Sequence, residues 1–319
     1  MESEKIEVKK NVLLKDYSTF KIGGRVKYFV EVKNVSQLIG AINWAHKKGI
    51  SFFVLGRGSN ILFLDKEHKE LAIKCAISYI KPKKSNQKFE VLYTGAGTPL
   101  EQLIQFSLKE SLTGLEWMVG IPGTIGGAVY NNAGAFGKEI KDIVRKVKVV
   151  KISRKTIESK IFSNKDCQFS YRNSLFKKNK NYIIVEVELE LKKEKKYKIK
   201  SKIKENLLYR KTHQPLEYPS IGSIFKNISF SSCSPSLLEK FPDLKQFQNR
   251  KEIPVAYLID KCDLKGRKIG GAQISKKHSN FIINTGKATA EDVMILISLI
   301  KQKVRDKFGI QLEEEIIIF

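Results

Sequence analysis

Apolar residues recur along this chain in two rhythms, and each rhythm names an element. Leu38, Ile39, Ile42 and Ala45 fall three and four apart, which predicts a helix opened by Ser36 as N-cap and ended by Gly49. Val293, Ile297, Ile300 and Val304 repeat the same spacing between a capping Thr289 and a terminating Gly309. Thr98, with Glu101 three residues on, predicts another helix running through Leu112. Strong alternation marks Val144–Ile152, Glu158–Phe162 and Tyr182–Leu191 as strands. Short apolar runs at 28–32, 50–55, 61–64, 71–75 and 89–94 read as further strands, as do 268–274 and 281–284. Val255–Cys262 reads as a helix, and Ser229–Gln248 as a polar loop with short helices.

One stretch obeys neither rhythm. Gly114–Gly137 holds seven glycines and Pro122 in 24 residues, with mostly apolar residues between them. Such a density burdens a regular element with backbone freedom that folding must remove. A buried, tightly wound backbone that offers N–H groups to a close ligand fits it, and a diphosphate suits such a concavity. Sterically demanding turns in a crowded core fit it as well. Two more glycine pairs, Gly56–Gly58 and Gly95–Gly97, follow strands. Gly56-Arg57-Gly58-Ser59-Asn60 lacks the third glycine of a dinucleotide fingerprint, and a strand rather than a helix follows it. A doubly wound nucleotide fold is therefore disfavoured, while a phosphate cradle of loop amides stays open. No P-loop is present, because Asn132 stands where its first glycine would be.

Charge adds less than its size suggests. The 319 residues carry a formal charge of +26, but 50 Lys against 9 Arg, spread along nearly the whole chain, suit a solvated surface better than base and phosphate recognition. Nucleic acid is not the expected partner. The densest lysine run, 192–204, marks a domain boundary continuing into an exposed amphipathic helix that ends near Thr212. Cys75, Cys167, Cys233 and Cys262 lie far apart, and neither they nor the four histidines have metal-ligand spacing. No metal site is expected. The opening residues MESEKIEVKK lack the apolar run of a leader and no stretch reaches membrane-spanning length, so the expected compartment is the cytoplasm, with no membrane partner.

The familiar catalytic constellations are missing: no G-x-S-x-G elbow, no H-E-x-x-H, no Cys/His pair in a recognisable context. An enzyme so built borrows its reactivity from a cofactor, and the glycine loops point to one bearing a diphosphate. Other residues remain ambiguous on sequence alone. Arg172 beside Tyr171 is either a working cation or a surface residue stacked on the ring. Ser223 behind Gly222 is either a turn hydroxyl or a reactive one. In the terminal run Glu313-Glu314-Glu315, the first and third share a strand face, solvated unless that strand is central.

Seven segments, in order, resemble the UDP-N-acetylenolpyruvoylglucosamine reductase family: Ser18–Gly24, Gly56–Asn60, Gly114–Gly137, Tyr171–Ser174, Gly222–Asn227, Ile269–Ala272 and Leu312–Glu315. The resemblance covers nearly everything from Asn11 onward. It implies an α+β fold: a two-lobe FAD-binding domain of the PCMH/vanillyl-alcohol-oxidase type over residues 1–200 (lobes near 1–80 and 81–200), then a C-terminal α+β substrate-binding domain over 201–319. It implies bound FAD, NADPH as co-substrate, and reduction of UDP-N-acetylglucosamine enolpyruvate to UDP-N-acetylmuramate in peptidoglycan precursor synthesis, by a monomer.

The resemblance also implies a site, residue by residue. Gly56, Arg57, Gly58, Ser59 and Asn60, with Gly120, Pro122, Gly123, Thr124, Gly126 and Gly127, would hold the FAD diphosphate through backbone amides. Arg172 would stabilise the enolate, with Glu315, in its protonated form, polarising the same carboxylate. Ser223 would protonate C2, a step a hydroxyl can perform for so strong a base. Lys226 and Asn227 would contact the substrate's diphosphate. Three departures stand out. Glu314 occupies a position where the family commonly has proline, Ile228–Arg250 is longer and more polar than expected, and a tyrosine-bearing insertion is missing, which matches the family's shorter subgroup. An FAD oxidase of the same flavin fold is the competing enzyme class, and it would need neither Ser223 nor Glu315.

Overall fold

A computed structural model describes residues 6–84, 88–153 and 156–319. Positions 1–5, half of the opening segment MESEKIEVKK, lie outside the described residues. The chain forms two compact units: residues 1–12, 26–57 and 67–210 make the first, residues 13–25, 58–66 and 211–319 the second. The second unit thus draws two short N-terminal segments into a body otherwise built from the last third of the chain.

Two large sheets and a short ribbon, Gly134–Ala135 against Lys138–Glu139, lie in the first unit. In one, strand His68–Cys75 lies between Arg25–Val32 and Phe52–Leu55 and pairs in parallel with both. Helix Val35–Lys47 buries Leu38, Ala41, Ile42 and Ala45, the stripe its spacing predicts. Its N-cap is Asn34, whose side chain accepts from the Gln37 N–H at 2.8 Å; Ser36 lies inside the helix. The other sheet is antiparallel, in the order 157–163, 144–152, 182–193, 89–95, 80–84. Tyr182–Lys193 runs through its middle with Val185, Val187, Leu189 and Leu191 buried and Glu186, Glu188 and Glu190 on the other face. Burying each such aliphatic side chain contributes about 1.5–3 kcal/mol, so this alternation fixes the register.

Three local expectations change. Helix Leu100–Lys109 has no side-chain cap, because the Thr98 hydroxyl donates to the Tyr79 carbonyl and accepts from the Tyr79 N–H. It also stops early, and Leu112–Thr113 pairs as a strand with the end of 182–193. The glycine-rich stretch contains a helix, Ile125–Asn131, opened by Thr124 and closed by Asn132 at φ +43°. Helix Lys196–His213 forms as expected but buries only Ile199 and Arg210, so its apolar residues make no continuous stripe.

In the second unit, helix Ala290–Phe308 buries Val293, Leu296, Ile297, Ile300 and Val304. Thr289 and Asp292 form its capping box and Gly309, at φ +69°, ends it. Around it stand the antiparallel strands 268–269, 272–274 and 282–284, and helix Val255–Lys261. Residues 228–253 form a compact excursion closed by the pairing of Ile228 with Ile253, its Leu244 and Phe247 buried.

Candidate active site

Strand Phe52–Leu55 delivers the chain to Gly56, where a Cβ would stand 2.6 Å from Thr124 Oγ1. Two of the glycine loops therefore meet, and only glycine admits the approach. A Cβ on Gly126 would lie 2.8 Å from the Ala96 carbonyl, so the third loop joins them. The expected amide donors divide sharply. The N–H groups of Gly123, Gly126 and Gly127 are spent inside the protein, on Ile121 O, Ala96 O and Thr124 Oγ1. At Gly126 the lack of a side chain admits the close approach to Ala96. The N–H groups of Arg57, Gly58, Ser59, Asn60, Gly120 and Thr124 meet no protein acceptor among the described residues. A run of open amides on a loop that excludes side chains fits a cofactor diphosphate, and Pro122, which has no N–H, fits as a stiffener. Arg57 is 3.7 Å from Glu101, a loose surface pair.

Arg172 sits in a tight turn closed by reciprocal bonds between Ser170 and Asn173, of 3.1 and 3.0 Å. Its φ of +52° is a left-handed conformation that a side chain adopts at a cost of about 1 kcal/mol. The guanidinium donates from Nη2 to the Gly134 carbonyl at 2.9 Å and lies 5.2 Å from the Tyr171 ring centre. The cation thus packs on the Tyr171 ring and is fixed against the glycine-rich stretch.

Arg210 was not legible as a site residue. It is buried, donates from Nη2 to the Trp117 carbonyl at 3.0 Å, lies 5.2 Å from the Phe136 ring centre, and its Cδ would be 3.0 Å from a Cβ on Gly120. Burial pushes its pKa down to about 10, so it stays charged at neutral pH. One signal could have found it: it is the single arginine in a helix of lysines, and a planar guanidinium tolerates burial against a ring better than an ammonium.

In the second unit, Ile221–Asn227 crosses between two other segments. Ser223 bridges Phe281 on one side, and Phe225 bridges Glu314 on the other. Ile224 donates to Asn280 O and accepts from the Glu315 N–H, both at 2.8 Å. Ser223 and Glu315 are therefore near neighbours on adjacent paired segments. Beyond Glu315 the terminal strand Ile317–Ile318 pairs in parallel with Ile61–Leu62 in a two-stranded sheet, and Asn60 Nδ2 donates to the Glu315 carbonyl at 3.2 Å. Glu314 points to Lys301 at 2.8 Å, while Glu313 binds Lys226 on the opposite side. The Ser223 hydroxyl takes no protein partner among the described residues. The Asn227 amide accepts from the Val255 N–H and donates to Glu252, which ties the segment to the start of helix Val255–Lys261.

No group of three metal-ligating side chains occurs among the described residues, and no described helix is long and apolar enough to cross a membrane. Residues 26–158 match the family profile described as FAD binding domain, and 214–319 match that described as UDP-N-acetylenolpyruvoylglucosamine reductase, C-terminal domain. UDP-N-acetylenolpyruvoylglucosamine reductase of Clostridium novyi (strain NT) is 35% identical over 313 residues, 98% of this chain and 92% of that one. Its counterpart in Thermotoga maritima is 39% identical over 306 residues, 95% of each. The crystal structure of the Thermus caldophilus reductase superposes with a TM-score of 0.75 at 31% identity, covering 99% of both chains. With near-complete coverage by relatives at these identities and a matching fold throughout, the chain belongs to the UDP-N-acetylenolpyruvoylglucosamine reductase family.

Proposed function

We propose that this protein reduces UDP-N-acetylglucosamine enolpyruvate to UDP-N-acetylmuramate, using NADPH and a resident FAD. The observation that supports the reading is the main-chain pairing of segment 223–226 with 313–315, which brings the backbones that carry Ser223 and Glu315 onto neighbouring segments that the family shares. FAD, when bound, would supply the hydride chemistry that links NADPH to the terminal carbon of the enolpyruvyl group.

The chain's own residues do the rest. The open amides of Arg57–Asn60, Gly120 and Thr124 hold the cofactor's diphosphate, with Gly56, Gly123, Gly126 and Gly127 keeping side chains out of its way and Pro122 fixing the turn. Arg172 stabilises the negative charge that develops on the substrate's carboxylate and C2 as the hydride arrives. Glu315 polarises the same carboxylate. Ser223 donates its proton to C2, completing the addition of one hydride and one proton across the double bond, and recovers a proton from solvent. Lys226, held in place by Glu313, faces the substrate's diphosphate, while Asn227 orders the loop behind it. The protein works as a cytoplasmic monomer on small nucleotide substrates.

Anaerobic titration tests the reading. The purified protein is expected to be yellow, to bleach with NADPH, and to recolour on addition of the enolpyruvyl nucleotide but only slowly in air. A colourless preparation, or rapid recolouring by oxygen alone, overturns it.

A further inference from the structure

Thr19 joins the proposed cofactor loop to the segment that bears Ser223. Its main-chain N–H donates to the Gly58 carbonyl at 3.3 Å, and its hydroxyl donates to the Ser220 carbonyl at 2.7 Å, across 201 residues of sequence. Asn284 reinforces the same junction. It donates from its main chain to Pro219 O at 2.9 Å and from its amide to Phe20 O at 3.0 Å. Phe20, next to Thr19, is fully buried.

Ser220 leads directly into a point of freedom. Gly222 has φ +83° and no atom within 4 Å of where a Cβ would be, so it is a pivot with room to turn. Downstream of the pivot, Ser223 is bridged to Phe281, and Asn280 grips both main-chain groups of Phe225, at 3.0 and 2.9 Å. Upstream, consecutive carbonyls at 219 and 220 are held by Asn284 and Thr19. Without the Thr19 hydroxyl the chain entering the pivot loses one of two anchors, and the Ser223 hydroxyl gains freedom that a proton transfer at hydrogen-bond distance does not tolerate.

We propose that Thr19 is a positioning residue for the proton-transfer half of the reaction, its hydroxyl fixing Ser223 relative to the loop that carries Gly58. The inference rests on the reductase reading. Thr19→Val is the discriminating variant: it keeps the shape and the main-chain bond to Gly58 but leaves the Ser220 carbonyl without its donor. Thr19→Ser restores the donor without the methyl group.

The holoenzymes are compared by stopped flow for the two half-reactions, and FAD affinity is measured by fluorescence titration of the deflavinated proteins. In Thr19→Val, flavin reduction by NADPH and the FAD Kd are expected within about twofold of wild type, while reoxidation by the enolpyruvyl nucleotide slows at least tenfold and shows a larger solvent deuterium effect. Thr19→Ser is expected within about threefold of wild type in every readout. Reoxidation of Thr19→Val at wild-type speed overturns the proposal. So does an equal loss in both half-reactions accompanied by a raised FAD Kd, the mark of a structural role. If Thr19→Val does not fold, Thr19→Ser decides: a tenfold slowing of reoxidation there, with the hydroxyl retained, also overturns it. A wild-type protein that the enolpyruvyl nucleotide fails to reoxidise defeats the reductase reading instead.

Discussion

The main-chain N–H of Glu315 donates to the carbonyl oxygen of Ile224 at 2.8 Å. That bond joins residues 91 positions apart and sets the register in which Ser223 and Glu315 lie on adjacent segments. A one-residue slip would carry each side chain to the opposite face.

Replacing Ser223 by alanine therefore removes the proton without disturbing the pairing, which is entirely main-chain. Flavin reduction by NADPH is expected to persist, and reoxidation by the enolpyruvyl nucleotide to fall by about 10²–10⁴. Ser223→Cys retains a transferable proton and should lose less. Single-turnover traces of the two variants check both statements, and equal wild-type rates in both half-reactions would remove Ser223 from the mechanism.

Arg172→Lys keeps the charge but loses the planar fork that donates to Gly134 O while stacked on Tyr171. Reoxidation is expected to slow about 10²-fold, with NADPH reduction little changed. Steady-state kcat alongside the reductive half-reaction distinguishes this from a general loss of structure.

Two glycine substitutions should separate space from backbone conformation. Gly58 has φ +61° and a Cβ there would stand 2.1 Å from Tyr17 O, whereas Gly137 has φ +72° and nothing within 4 Å. Gly137→Ala is expected to cost about 1 kcal/mol, and Gly58→Ala at least about 2 kcal/mol together with loss of FAD. Thermal melts and the flavin absorbance of the purified variants measure each.

Asp292 supplies a pH test. Its carboxylate accepts from the Thr289 N–H and, against a small opposing effect of burial, from the Gly271 N–H and Thr289 side chain, which together hold its pKa below the ordinary aspartate value. A folded pKa below the unfolded one stabilises the protein above about pH 4 and loses that contribution as the pH falls through the folded value. Melting temperatures of wild type and Asp292→Asn should differ at pH 7 and converge toward pH 2. A difference independent of pH would mean that the charge plays no part.

Local periodicity determined much of this protein. The stripe Val293–Val304 between Thr289 and Gly309, and the alternation through Tyr182–Leu191, each record which residues are buried, and burial is a property a short window carries. The glycine positions likewise announced close approach, and the motifs named the family. Tertiary structure alone decided who approaches whom. Thr98 has the sequence of a cap, but its hydroxyl is taken by Tyr79, 19 residues earlier in the chain. Gly126 and Gly127 look like amide donors until their N–H groups are followed to Ala96 and Thr124. Glu315 is tied to Ile224, and the strand just beyond it pairs with Ile61–Leu62, each far away in the chain. Hydrogen-bond partners over such separations leave no trace in local pattern, since any exposed N–H reads the same until the fold brings its acceptor to it.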